Sequence, residues 1–166
     1  MNIAPLILRF IFVGLTVATG NAATNRWWLD INLTSQHSRH EYVFEGSRHE
    51  YNSRNLGLGL AYDWRDWCDL KAGWFNNSYH RTSLYAVVHP RFDLLRSPRV
   101  MLAIGVAVGA VTGYNHTVDD LPPLSPLGIL TVTVSDERHW RLLVGYEPFR
   151  LLLGENHADV ATLQVS

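Results

Sequence analysis

Two residues stand out for chemistry although they lie far apart in the chain: His37 in "TSQHSR" and Ser78 in "FNNSYH". A serine hydroxyl is a weak nucleophile near neutral pH, and an imidazole is the usual base that takes its proton. Asn77, directly before Ser78, offers an amide that can orient a partner but brings no charge. On spacing alone Ser78 reads more readily as a turn residue, because it sits in the polar run Asn76–Arg81. Eight histidines raise the question of a metal. His37 and His40 are three apart, which in a strand sends them to opposite faces, and no Cys or carboxylate cluster completes a site of three or four ligands. Neither a metal nor a cofactor is expected. The single cysteine, Cys68, has no partner for an internal disulfide.

The elements that must position His37 and Ser78 read as strands. About ten residues of alternating character, then turn residues, recur eight times: roughly 27–38, 54–64, 67–77, 80–91, 99–113, 124–134, 138–147 and 157–165. Transmembrane strands need about 9–11 residues, and bacterial barrels use an even number from eight upward. The expected fold is therefore all-β, an eight-stranded antiparallel transmembrane β-barrel. In "VMLAIGVAVGAVTG" the bulky Leu102, Ile104, Val106 and Val108 alternate with Ala103, Gly105, Ala107 and Gly109. "NLGLGLAYDW" repeats the pattern, with Leu56, Leu58, Leu60 and Tyr62 against Gly57, Gly59 and Ala61. Bulky apolar groups suit a lipid-facing side, and the small ones imply either a narrow, tightly filled barrel or a cavity. Gly105, Gly109 and Gly113 are four apart, as in helix-dimerisation motifs, but the run is too short to span and its valines alternate. Trp27, Trp28, Trp64, Trp67, Trp74, Tyr85 and Trp140 fall near strand ends, where barrels carry aromatic girdles. With the N-terminus on the periplasmic side, the first and third strands both run outward, so His37 and Ser78 belong to one rim.

Composition agrees with this class. Hydrophobic residues make up 47% of the chain and charged ones 17%, against about 25% charged in soluble domains. A formal net charge of −1 lacks the basic stripe of a nucleic-acid binder. The first residues combine Arg9, an apolar run from Phe10 to Val17 and small residues at Gly20 and Ala22. That is the pattern of an export signal cleaved after Ala22, leaving one barrel domain over 23–166.

Several segments together resemble the lipid A palmitoyltransferase family of Gram-negative outer membranes. They are the glycine-alternating strand at Gly57–Gly59, "FNNS" at Phe75–Ser78, the glycine-spaced strand at Gly105–Gly109 and the proline-rich "LPPLSPLG" at Leu121–Gly128. The likeness covers about residues 55 to 150 and, more loosely, "TSQHSR". It implies a bacterial outer-membrane enzyme, a monomer, that moves an acyl chain such as palmitate from a phospholipid donor to the acceptor lipid A. His37 and Ser78 match the family's functional His and Ser, and Asn77 stands where the family has Asp. His37, Asn77 and Ser78 are thus the candidate catalytic residues. Asp30, Glu41, Glu45 and Asp119 are the carboxylates available to replace the missing acid. The resemblance also gives the prolines Pro122, Pro123 and Pro126 a use, as a lateral gap for lipid entry. It brings an amphipathic helix before the first strand, for which this chain has too few residues after Ala22. A barrel without catalysis, binding lipid or serving structurally, is the alternative. A lipid A deacylase would need a His-x-Ser triplet, which the chain lacks.

Overall fold

Side-chain alternation decides which way each strand faces. In the computed structural model, which describes residues 26–97, 99–115, 122–136, 138–148 and 158–166, ten strands form. They are β1 (Trp27–His37), β2 (Glu41–Phe44), β3 (Ser47–Glu50), β4 (Gly57–Arg65), β5 (Cys68–Asn76), β6 (Thr82–Arg96), β7 (Met101–Thr112), β8 (Leu124–Ser135), β9 (Arg141–Glu147) and β10 (Val160–Val165). Eight of them close into an antiparallel barrel in the order β1-β10-β9-β8-β7-β6-β5-β4. Pairing of β1 with both β10 and β4 seals it. The expected leader over 1–22 and Asp119 lie outside the described residues, as does most of the stretch before β1. Among the described residues, no helix is long and apolar enough to cross a membrane.

The two faces fall as the alternation predicts. Leu58 and Leu60 of β4, Ile104 and Val106 of β7, and Leu130 and Val132 of β8 point outward and are exposed, while Ala61, Ala103 and Ala107 are buried inside. Two of the expected girdle aromatics turn inward instead. Trp28 is buried and Tyr85 faces the interior, whereas Trp27, Trp64, Trp74 and Trp140 stand on the outer surface.

The hairpin β2–β3 was not expected. It pairs Glu41 with Glu50 through Phe44 with Ser47, and its turn places Glu45 at φ 49° and Gly46 at φ 77°. Two consecutive positive φ values are the geometry that follows the twist of a tight hairpin. "EG" is a weaker sign of it than the usual Asn-Gly, and the strands are only four residues long.

Charged side chains fill the end of the barrel away from His37. Arg141 donates to both oxygens of Asp63 at 2.6–2.7 Å, and its guanidinium lies 4.0 Å over the Trp28 ring. Trp28 donates its indole N–H to Asp63 at 2.9 Å. Arg91 pairs with Asp69 at 2.8 Å. His89 bridges Asp69 at 3.2 Å and Thr131 at 2.8 Å. Lys71 reaches Asp30 at 3.2 Å and Gln164 at 2.8 Å. Three carboxylates thus meet three cations, all buried, and the formal charge cancels. Burying an unpaired charge costs several kcal/mol, so matched numbers are the condition for such a plug.

The inward glycines do not simply leave space. A methyl group at Gly59 or Gly73 would collide with the Tyr85 hydroxyl, and one at Gly105 with His89 and Thr131. These glycines hold room for large neighbours that cross the wall. The remaining cavity, about 100 Å³, is lined in its middle by Val87, Ala107, Leu127, Ile129, Leu143 and Val160. Its floor is Lys71, His89 and Thr131, and Ser78 stands at its upper end.

Candidate active site

Strand direction brings the distant pair together. β1 and β5 run the same way, and the last residue of β1 is His37, while Ser78 follows β5 by two residues. His37 Nε2 lies 2.6 Å from Ser78 Oγ, and both residues are buried. The outward side chains of β1 are Trp27, Leu29 and Ile31, then the polar Thr34 and Gln36. His37 therefore stands beyond the apolar stretch of its strand, at the rim.

A strap of six residues, 51–56, braces the pair from both sides. Ser35 N donates to Ser53 O at 3.0 Å, tying the strap to β1. Asn52 N donates to Ser78 O at 2.8 Å, and Asn76 N to Leu56 O at 2.9 Å, tying it to β5 and the loop beyond. The buried Asn55 accepts from Ser35 Oγ and donates to Asn76 O at 2.8 Å. Tyr51, which opens the strap, stacks on the His37 ring with centroids 4.4 Å apart and planes 3° from parallel. Tyr42 of the hairpin, Tyr51, Tyr79 and Tyr114 continue as a chain of ring contacts at 4.7–5.8 Å. Burial pushes the phenol pKa values of Tyr51, Tyr79 and Tyr114 up, so all three remain hydroxyl donors.

Asn77 has another occupation. Its Oδ1 accepts from Tyr79 N at 2.9 Å and Arg81 N at 3.0 Å. Its Nδ2 donates to Ser83 Oγ and Gly113 O, both at 3.0 Å. The amide closes the 77–81 loop and fastens it to the end of β7, so all its bonds go to structure and none to His37. Two backbone N–H groups on one side and a carbonyl on the other require an amide there. A carboxylate would turn an oxygen toward Gly113 O.

Among the described residues His37 therefore has no third member of a familiar triad. Its Nδ1 is buried without a hydrogen-bond partner from those residues, and burial alone pushes its pKa down to about 4. The imidazole is neutral at pH 7 and can accept a proton at Nε2. The Tyr51 ring stacks on its plane, and no carboxylate among the described residues supports the imidazolium that a proton transfer would form. Asp30 belongs to the plug at the opposite end, bound to Lys71 and Ser166. Glu41 pairs with Arg48 on the hairpin at 3.5 Å, and Glu45 is exposed at the hairpin turn.

A search of protein-family models and of curated proteins finds no match to this chain. Function is therefore argued from the site itself. The dyad can relay a proton between a hydroxyl and an imidazole in a site screened from water, and it opens onto an apolar cavity closed below by the ion plug.

One residue escaped the sequence reading. Glu147 ends β9 with its side chain turned inward, on the wall of the cavity that Ser78 tops. The signal for it was parity. In Arg141–Glu147 the buried positions are Arg141, Leu143, Gly145 and Glu147, so the same alternation that buries Leu143 buries Glu147.

Proposed function

We propose that this chain is an outer-membrane acyltransferase that moves a fatty acyl chain from a phospholipid to a hydroxyl of lipid A. The observation that carries this reading is the buried His37–Ser78 contact of 2.6 Å at the open end of an apolar cavity with a charge-neutral floor. An acyl ester fits that arrangement, with its hydrocarbon down the cavity and its carbonyl at the dyad. The exposed outer Leu, Ile, Val and Trp side chains match a lipid environment.

In the proposed reaction His37 Nε2 takes the proton of the attacking hydroxyl, either of Ser78 or of the acceptor. The hydroxyl oxygen bonds to the ester carbon, the tetrahedral adduct collapses, and the lysophospholipid alkoxide leaves with the proton from His37. Where Ser78 was the attacking group, the lipid A hydroxyl then gives its proton to His37 and bonds to the acyl carbon, and Ser78 Oγ leaves and takes that proton back. Lipid entry has a candidate path. The upper residues of β8, Leu124 to Ile129, pair with β7 but have no β9 partner among the described residues. Pro126 in that stretch has no N–H to offer a ladder.

The second reading, a lipid-binding barrel without catalysis, draws on the commitment of Asn77 to structure and on the unpartnered Nδ1 of His37. One experiment separates the two. The protein is expressed in an outer membrane and lipid A is examined by mass spectrometry, beside His37→Ala and Ser78→Ala. An added acyl chain, lost in both variants while the barrel still folds, supports the enzyme. Unchanged lipid A with a folded wild-type barrel ends that reading and leaves the binding protein.

A further inference from the structure

Glu147 is a carboxyl-bearing residue on the wall of an apolar cavity, with no ion-pair partner among the described residues. It is 8% exposed, and no hydrogen bond or salt bridge reaches it from the described residues. Lone buried carboxyls are costly, and this one is not needed to close the barrel, since the plug below balances its own charges. Its place is informative. The register runs His37 opposite Val160, and Val160 opposite Glu147. All three point inward, so Glu147 and His37 flank Val160 in one row. Strands lie about 4.8 Å apart, which sets the two Cα atoms roughly 10 Å apart with the side chains converging on the space between. Ser78 and Tyr114 border the same cavity.

We propose that the protonated carboxyl of Glu147 donates a hydrogen bond to the carbonyl oxygen of the acyl ester held at Ser78, and holds that oxygen as it becomes an oxyanion. This rests on the acyl-transfer reading above. Acyl transfer builds negative charge on that oxygen, and donors fixed before the reaction stabilise it most effectively where water is excluded. The carboxyl keeps its proton throughout, so the balance of the reaction is unchanged. A charged carboxylate could not play the part. Among the described residues that line the cavity with Glu147, Tyr114 is a phenol, Ser78 carries no charge, Val160, Leu127 and Ile129 are apolar, and Lys71 on the floor is paired with Asp30. Burial pushes the Glu147 pKa up to about 8, which is consistent with a donor at neutral pH.

The test uses the full-length protein in detergent with a phospholipid donor and lipid A acceptor, and follows transfer rate against pH. Wild type is expected to lose activity as pH rises through about 8. Glu147→Leu, which removes the donor, is expected to lower kcat by about 10²–10³-fold, the loss seen for one oxyanion donor, with little change in KM. Glu147→Gln keeps a donor that cannot ionise, so it loses less than about tenfold and its rate no longer falls at alkaline pH. A wild-type profile without the alkaline fall, or Glu147→Leu with wild-type kcat, overturns the inference and leaves the acyltransferase standing. A wild type that transfers nothing overturns both.

Discussion

The two halves of the barrel interior treat buried charge differently. In the lower half each charge faces an opposite one: Asp63 with Arg141, Asp69 with Arg91, Asp30 with Lys71. In the upper half, among the described residues, His37 Nδ1 has no hydrogen-bond partner and no cation pairs with Glu147. Unpartnered polar atoms occur in both halves, since Arg91 Nε, Arg141 Nε, Thr133 Oγ1 and Ser135 Oγ lack partners below, each at a cost of about 1–3 kcal/mol. Below, they sit inside a balanced ion-pair network. Above, an imidazole and a carboxyl stand outside any ion pair of the described residues, beside the cavity where the proposed reading places its ligand.

The largest effect expected from breaking this contrast lies in the lower half. Asp63→Ala leaves the buried Arg141 unpaired and removes the acceptor of the Trp28 indole, so a loss of about 3–5 kcal/mol is expected. Urea unfolding of the barrel in detergent or vesicles measures it. A loss under 1 kcal/mol would mean that water already solvates the plug. Asn77→Asp tests the upper half. It sets a carboxylate oxygen against Gly113 O and gives up a donor, at a cost of about 1–3 kcal/mol, and an acid at this position should not raise the rate of the proposed transfer. A faster enzyme would show that Asn77 had been standing in for a missing charge.

Tyr51→Ala sharpens the comparison with the smallest effect. The stack is worth about 0.5–1.5 kcal/mol, which corresponds to a kcat loss of about 2–12-fold. It also opens His37 to water, and that relieves the cause of its lowered pKa. The acidic limb of the rate profile, expected near pH 4 in the wild type, should rise toward the ordinary 6.5. Tyr51→Phe keeps the ring and should leave the limb in place. A shift of equal size in both variants would assign the effect to the hydroxyl instead.

Much of the barrel was legible because period-two alternation is a local property. The Leu–Gly strand at 57–65 and the Val–Ala strand at 101–112 declare their faces residue by residue. The pairing of His37 with Ser78 was legible only through topology, since parallel strand directions place both at one rim. What stayed hidden depends on contacts between strands. Nothing local distinguishes an Asn whose amide holds a loop from one that orients an imidazole; the difference lies in Gly113, on another strand. Trp28 and Trp27 are neighbours of one type, and only register with Asp63 and Arg141 sends one inside. The inward glycines left a tightly filled barrel and a cavity equally open; which neighbour fills the space is set across strands, since Gly73 on the next strand and Gly59 on the one beyond both make room for Tyr85.

The neutral plug has an electrical consequence. Six opposed charges are packed across the lumen, and an ion entering from the rim would have to displace a partner held at 2.6–3.2 Å. Placed in a planar bilayer, such a barrel would be an insulator: it would add no steps of current at any voltage that leaves it folded. Despite the shape it shares with porins, it would contribute nothing to a cell's permeability.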